Sequence, residues 1–304
     1  LRTVDAAADG MSTNSTLPAT SGLLFDRHLI TTTLEPPMDW PTLGEKIGLR
    51  GPRWHWRLMR WERAWRELLR GGQISNASPV TWAILAINLV AFSLMLLHGA
   101  LAGQGIQPLF SPNTGLLLHA GGQYWPWVLN NHEWWRCITY AYTHGGLIHL
   151  AFNMMVLYQV GPVIEAEIGT LRFVTLYTLT ALTATLAGLY WHPIVPVVGA
   201  SGSLFGLIGF AVIYYHRVGG PAAHHLRNFM FRWAVFAFVF GLLVGADNAG
   251  HLGGAIGGAV LGAVLPLGIR GRQTLRPFFN MLGSLCIAAT VLSLAMLTLS
   301  WFNF

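Results

Sequence analysis

The chain has 304 residues, 53% hydrophobic and only 10% charged, with a mean hydropathy of +0.49. Soluble domains carry about 25% charge, so a water-soluble globular fold is excluded and an all-α, polytopic membrane bundle is expected. The net charge of +6 and pI near 9.7 come from arginines gathered in a few segments that should share one side of a membrane. That distribution speaks against a nucleic-acid footprint and for a lipid bilayer as partner.

Residues 1–77 read as a polar N-terminal region, with Pro36-Pro37 and few apolar clusters. No apolar stretch precedes residue 78, so no secretory signal peptide is expected within the chain. Within this region, residues 53–70 change character. Trp54, Leu58, Trp61, Trp65 and Leu69 recur at helical spacing with arginines on either side. This predicts a basic amphipathic helix lying on an anionic membrane surface. An ordinary juxtamembrane helix is the simpler reading of it, a regulatory or partner-binding helix the alternative.

Ser78-Pro79 looks like a cap followed by proline in a first turn. It opens a first span over Pro79–Leu97. A long loop, His98–Trp134, follows; its Pro, Gly, Asn and Trp content (Trp125, Trp127, Trp134, then Trp135) suits a hairpin in the membrane interface. The second span is expected over Gly146–Ile164 and the third over Leu171–Tyr190. His192-Pro193-Ile194-Val195-Pro196 joins the third to a fourth at Ser201–Tyr215. The fifth covers Phe229–Ala246, the sixth Ala249–Leu267 and the seventh Phe278–Leu299. The fourth is short against the ~20 residues a crossing needs, which leaves room for water above its N-terminus.

Seven spans with a cytoplasmic N-terminus put Lys46, Arg50, the arginines of 53–70, Arg172, Arg217, Arg227, Arg232, Arg270, Arg272 and Arg276 on the cytoplasmic side. Only Arg136 falls on the other. This positive-inside pattern places Ser201, His149 and His251 toward the non-cytoplasmic face, at similar depth.

Polar groups in membrane spans are costly and point to function. A serine hydroxyl at a helix start is a cap in the simplest reading. As a nucleophile it needs a base, and His251 is the candidate. Asp247 and Asn248 read as a cap for the sixth span, so a Ser–His dyad with its ring held by packing is expected. Donors for the oxyanion are the backbone N–H of Ser201 and the side chains of His149 and Asn153, which stand four apart on one helix face. Gly254, Gly258 and Gly262 run down from His251, and Gly202, Gly206 and Gly209 down from Ser201. Such strips let membrane helices approach closely, although any helical bundle uses them. Ser203 stands where a soluble-hydrolase elbow has its second glycine, and reads as a packing hydroxyl. His144 and His149, five apart, do not align as metal ligands, so no metal is expected. The remaining histidines read as ordinary polar surface. Cys137 and Cys286 form no disulfide framework.

These residues resemble the rhomboid family of intramembrane serine proteases. The matching motifs are Trp135-Arg136, His144, His149-x-x-x-Asn153, Gly161-x-x-x-Glu165, Gly199-x-Ser201-Gly202 with Gly206, and Ala249-Gly250-His251-Leu252-Gly253-Gly254-x-x-x-Gly258. They stand in the family's order across residues 78–268. The resemblance implies a six-helix core over 78–268 and, in 269–304, a seventh span, a 6+1 arrangement. It implies Ser201 as nucleophile, His251 as general base, His149 and Asn153 as oxyanion donors, Phe205 packed on the imidazole, and Trp135-Arg136 in a structural role. Gly199, Gly202 and Gly254 support the site. Single-span or polytopic membrane proteins would be the substrates, cut near the outer membrane boundary, often after a small residue and without a cofactor. The dyad positions are filled, unlike those of the family's inactive relatives. A non-catalytic scaffold that binds transmembrane helices is the rival reading, and a transporter is disfavoured because no inverted repeat is visible. A bacterial inner membrane is the expected location; natural substrate and oligomeric state do not follow from the sequence.

Overall fold

The computed structural model describes Met59, residues 78–244 and residues 246–302. Apart from Met59, the amphipathic helix expected over 53–70 and the rest of the N-terminal region lie outside the described residues. Among the latter, long helices dominate. They are α1 (Pro79–Leu101), α2 (Leu147–Ile168), α3 (Thr170–Trp191), α4 (Ser201–Val218), α5 (Gly220–Val244), α6 (Asn248–Val264) and α7 (Arg276–Ser300). No β-strand forms among the described residues; one isolated bridge pairs Gln123 with Val197.

Local chemistry sets the ends. Proline occupies the first turn of α1 and α7, where its missing N–H costs nothing. Glycines at positive φ, Gly169 and Gly219, break α2 from α3 and α4 from α5. The helix α5 begins nearer its preceding neighbour than the expected Phe229, because the polar turns holding His224, His225 and Arg227 are helical as well. At the other end α6 stops at Val264, ahead of the expected Leu267 and just before Pro266.

By length and composition α1, α2, α3 and α7 are fit to cross a membrane. The α6 helix has 17 residues and α4 has 18. Protein surrounds α4 on most sides: Gly202 to Ile208, Phe210, Ala211, Tyr214 and Tyr215 are all buried. On α6 the two faces divide cleanly. Gly250, His251, Gly254, Gly258 and Gly262 are buried, while Leu252, Ile256, Val260 and Val264 are exposed. An apolar exposed face on a polar-centred bundle is the signature of lipid as solvent, and the chain is an integral membrane protein.

The glycine strips divide between two partners, which the sequence reading did not foresee. On α6, a Cβ at Gly254 would fall 2.0 Å from the Gly202 carbonyl oxygen, and one at Gly258 1.9 Å from that of Gly206. The α6 strip therefore seats the backbone of α4. On α4, Gly202 and Gly206 press closest on α3, against Ala184 and Thr180, whereas Gly209 faces α6, at Ala255. The three helices α3, α4 and α6 thus close on one another at backbone distance, a packing that dispersion favours where no hydrophobic drive exists.

The loop between α1 and α2 is built of short helical turns around one arginine. Arg136 is almost fully buried. Its guanidinium donates to the carbonyls of Leu118 at 2.5 Å and Gly122 at 2.8 Å, pairs with Glu133, and lies over the rings of Trp127 and Trp135. The interfacial role expected for the loop's indoles needs correction. Trp125 and Trp135 are buried in protein, with Trp125 Nε1 donating to the Thr185 carbonyl, and only Trp134 is mostly exposed. Glu165 caps α1 from α2: its carboxylate accepts the N–H of Val80 and Thr81 and the Thr81 hydroxyl. Gly161 makes that approach possible, since a Cβ there would meet Thr81 at 2.7 Å.

Candidate active site

Ser201 is the first residue of α4. It does not cap the helix: the N-cap position is Ala200, and no side chain caps the turn. The N–H groups of that first turn therefore keep no side-chain partner. Ahead of it, Gly199 holds φ +120°, a backbone region other residues rarely enter. Its N–H donates to the Tyr140 carbonyl at 2.9 Å. The turn is anchored to the loop between α1 and α2 before the hydroxyl emerges.

His251 lies in the first turn of α6, with Asp247 as N-cap accepting the Gly250 N–H at 2.8 Å. Its Nε2 stands 2.9 Å from Ser201 Oγ and its Nδ1 3.2 Å from Asn248 Oδ1. One protonation pattern satisfies both contacts: Nδ1–H donates to the Asn248 oxygen, and Nε2 accepts the serine proton. Phe205, one turn along α4, stacks on the imidazole at 4.2 Å and 17°. The ring is thus held by a stacked aromatic and also by Asn248. By sequence Asn248 reads only as part of a cap. Its position three residues before His251, on the same helix face, was the available signal.

His149 and Asn153 occupy the first half of α2. The Gly145 N–H donates to His149 Nδ1 at 3.3 Å, so a neutral His149 ring carries its proton on Nε2. That edge lies against Gly199, where a Cβ would be 2.8 Å from Nε2 and 3.7 Å from Ser201 Oγ. Asn153 Nδ2 donates to the His149 carbonyl at 2.8 Å, while its buried Oδ1 has no partner among the described residues. One amide hydrogen of Asn153 remains for another acceptor. His144, in the loop before α2, packs edge-on to the His149 ring at 5.1 Å. Burial, and then the neighbouring His149, hold His144 well below the usual histidine range.

Ser201, His251, His149, Asn153, Gly199, Gly202 and Phe205 all line one cavity of about 480 Å³. Of the residues singled out in the sequence, Gly254 lies behind the wall, against Gly202. Ser203 points away and donates to the Tyr177 carbonyl at 3.0 Å. His192 is not plain surface: its Nε2 meets Asp247 Oδ1 at 2.7 Å. A second histidine pair, His98 and His119, stacks at 4.2 Å at the C-terminal end of α1 and against Trp301.

A rhomboid domain model matches residues 131–267. The chain is similar to the rhomboid protease GluP of Bacillus subtilis, 32% identical over 59% of this chain and 33% of that one. It is similar also to the inactive RHOMBOID-like protein 8 of Arabidopsis thaliana, 31% identical over 48% of this chain and 42% of the other. Rhomboid-like protease 3 of Toxoplasma gondii is 26% identical over 63% of this chain and 70% of its own. The chain spans less than half the length of the first two. Its matched segment holds Arg136, His149, Asn153, Ser201 and His251 together, and over that segment the chain is similar to the rhomboid domain.

Proposed function

We propose that this protein is an intramembrane serine endopeptidase working through a Ser201–His251 dyad. The observation that carries the reading is the 2.9 Å contact between Ser201 Oγ and His251 Nε2 on the wall of the cavity. A base within hydrogen-bond reach of a hydroxyl, with its far nitrogen held by a third group, is the geometry of an activated nucleophile.

Ser201 Oγ attacks the scissile carbonyl carbon while its proton passes to His251 Nε2. The carbonyl oxygen becomes an oxyanion, and the donors near it are His149 Nε2–H, the free Asn153 amide hydrogen and the N–H groups of the α4 first turn. Collapse of the intermediate breaks the C–N bond, and His251 returns its proton to the leaving amine. Water then attacks the acyl-serine with His251 again as base, releasing the acid and restoring Ser201. Asn248 holds the ring in the tautomer this cycle needs, and Phe205 keeps it from swinging away.

The substrates of this reading are membrane proteins, single-span or polytopic, cut near the outer membrane boundary, often after a small residue. The six-helix core over 78–268 with α7 appended, the cytoplasmic N-terminus and a bacterial inner membrane belong to the same proposal. They rest on the arginine distribution and the family match. The second reading is a helix-binding scaffold without turnover, which the similarity to a relative named inactive favours. Co-expression with a single-span reporter separates the two. Cleavage by the wild type that is lost in both Ser201→Ala and His251→Ala, with fluorophosphonate labelling of Ser201 that depends on His251, is the expected result. Cleavage surviving in Ser201→Ala rejects the peptidase reading. Reporter capture without cleavage by wild type and variant alike identifies the scaffold.

A further inference from the structure

His192 follows the last residue of α3, at the head of the segment that ends in Ser201. That segment is tied down twice on the side of the α1–α2 loop, by the reciprocal Gln123–Val197 bonds and by the Gly199 N–H to the Tyr140 carbonyl. It is tied once on the α6 side, where His192 Nε2 meets Asp247 Oδ1 at 2.7 Å. Both side chains of that pair are about one-fifth exposed, so solvent screens the contact only in part. Gly188, one turn back, makes the fold of His192 over α3 possible, since a Cβ there would stand 3.2 Å from His192 Cε1.

Asp247 holds the start of α6 in two further ways. The same Oδ1 accepts the Gly250 N–H at 2.8 Å, and the backbone carbonyl accepts the His251 N–H at 3.0 Å. The next residue, Asn248, takes His251 Nδ1. The contacts that place the His251 ring at the helix start therefore converge on residues 247 and 248. His192 joins the segment delivering the hydroxyl to the segment delivering the imidazole, and it touches neither reacting atom.

We propose that His192 is a positioning residue for the Ser201–His251 pair, acting through Asp247, and that the charge state of its imidazole tunes the base. This rests on the peptidase reading. A neutral His192 donates Nε2–H to the carboxylate and leaves the Asp247 charge in place, to favour the imidazolium that forms on His251 during attack. A protonated His192 offsets that charge. Among the described residues, the titratable groups bearing on this arrangement are Tyr140 and His251, which both feel the Asp247 charge, and His149, which acts on His251. No described Lys or Arg pairs with Asp247.

The test compares wild type, His192→Ala, His192→Gln and Asp247→Asn in proteoliposomes containing a single-span reporter, with kcat followed from pH 5 to 8. His192→Ala should lower kcat by about tenfold at little change in KM, the scale of a modest misalignment. His192→Gln keeps a neutral donor and should recover kcat to within about threefold at pH 8 while its acid limb loses one ionisation. Asp247→Asn, which still caps α6 but carries no charge to favour the His251 imidazolium, should lower kcat at pH 8. A wild-type kcat and pH profile in His192→Ala, or an unchanged acid limb in His192→Gln, overturns the proposal. A double-variant cycle on thermal unfolding, His192→Ala with Asp247→Ala in a Ser201→Ala background, reads the contact without turnover. The expected coupling is about 2–4 °C, and its absence also overturns the proposal. Coupling in that cycle beside a wild type that never cleaves the reporter marks the failure as that of the peptidase reading.

Discussion

Substituting Gly254 by alanine tests whether the α4–α6 approach is what brings the dyad together. The added Cβ would fall 2.0 Å from the Gly202 carbonyl oxygen, whereas ordinary contact begins at 3.4 Å. The obstacle is backbone, which has no rotamer to yield, so the helices must part locally by about 1.4 Å. Gly202 is the neighbour of Ser201, and Gly254 lies one turn below His251. A separation of that size opens the 2.9 Å Oγ–Nε2 contact beyond hydrogen-bond reach. A displacement near 1 Å costs ~100-fold in rate, about 2.7 kcal/mol of barrier. Reporter cleavage and fluorophosphonate labelling of Ser201 should therefore fall together by at least that factor in Gly254→Ala. Ile256→Ala, on the exposed side of the same helix, should leave both unchanged. Gly262→Ala, where the Cβ meets the Phe210 carbonyl at 2.6 Å two turns farther away, should cost less than Gly254→Ala. Wild-type labelling in Gly254→Ala would show that the helices need no backbone contact to align the pair, and the reasoning would fail.

Asn248→Ala removes the acceptor for His251 Nδ1–H and should lower kcat by about tenfold with reporter affinity unchanged; Asn248→Asp, which restores an acceptor, should recover part of it. Glu165→Gln keeps the shape of the α1 cap but removes the charge that accepts three donors. Unfolding in detergent should register about 2 kcal/mol of lost stability. His144 titrates lower in the fold than its ordinary 6.5 because of burial and then His149. The unfolded chain thus binds the extra proton, and the stabilisation present above pH ~6.5 is lost as the pH falls below it. His144→Phe should flatten the fall in melting temperature between pH 7 and pH 5, and an unchanged slope would remove His144 from the account.

The sequence by itself determined the helices and the identity of the polar residues among them. Hydropathy settles which stretches leave water, and a residue such as Ser201 or His149 in an apolar run is conspicuous because lipid offers it no partner. The starts of α4 and α6 were legible for local reasons: a glycine before Ser201 and an Asp before the α6 run. Packing direction was not. Whether Gly206 faces α3 or α6, whether Trp125 meets lipid or the Thr185 carbonyl, and whether His192 is surface or the partner of Asp247 depend on helix rotation and on loops folding back across the bundle. Those are settled by contacts between residues far apart in the chain. A period of 3.6 residues says which side chains share a face, and only the assembled bundle says what that face meets.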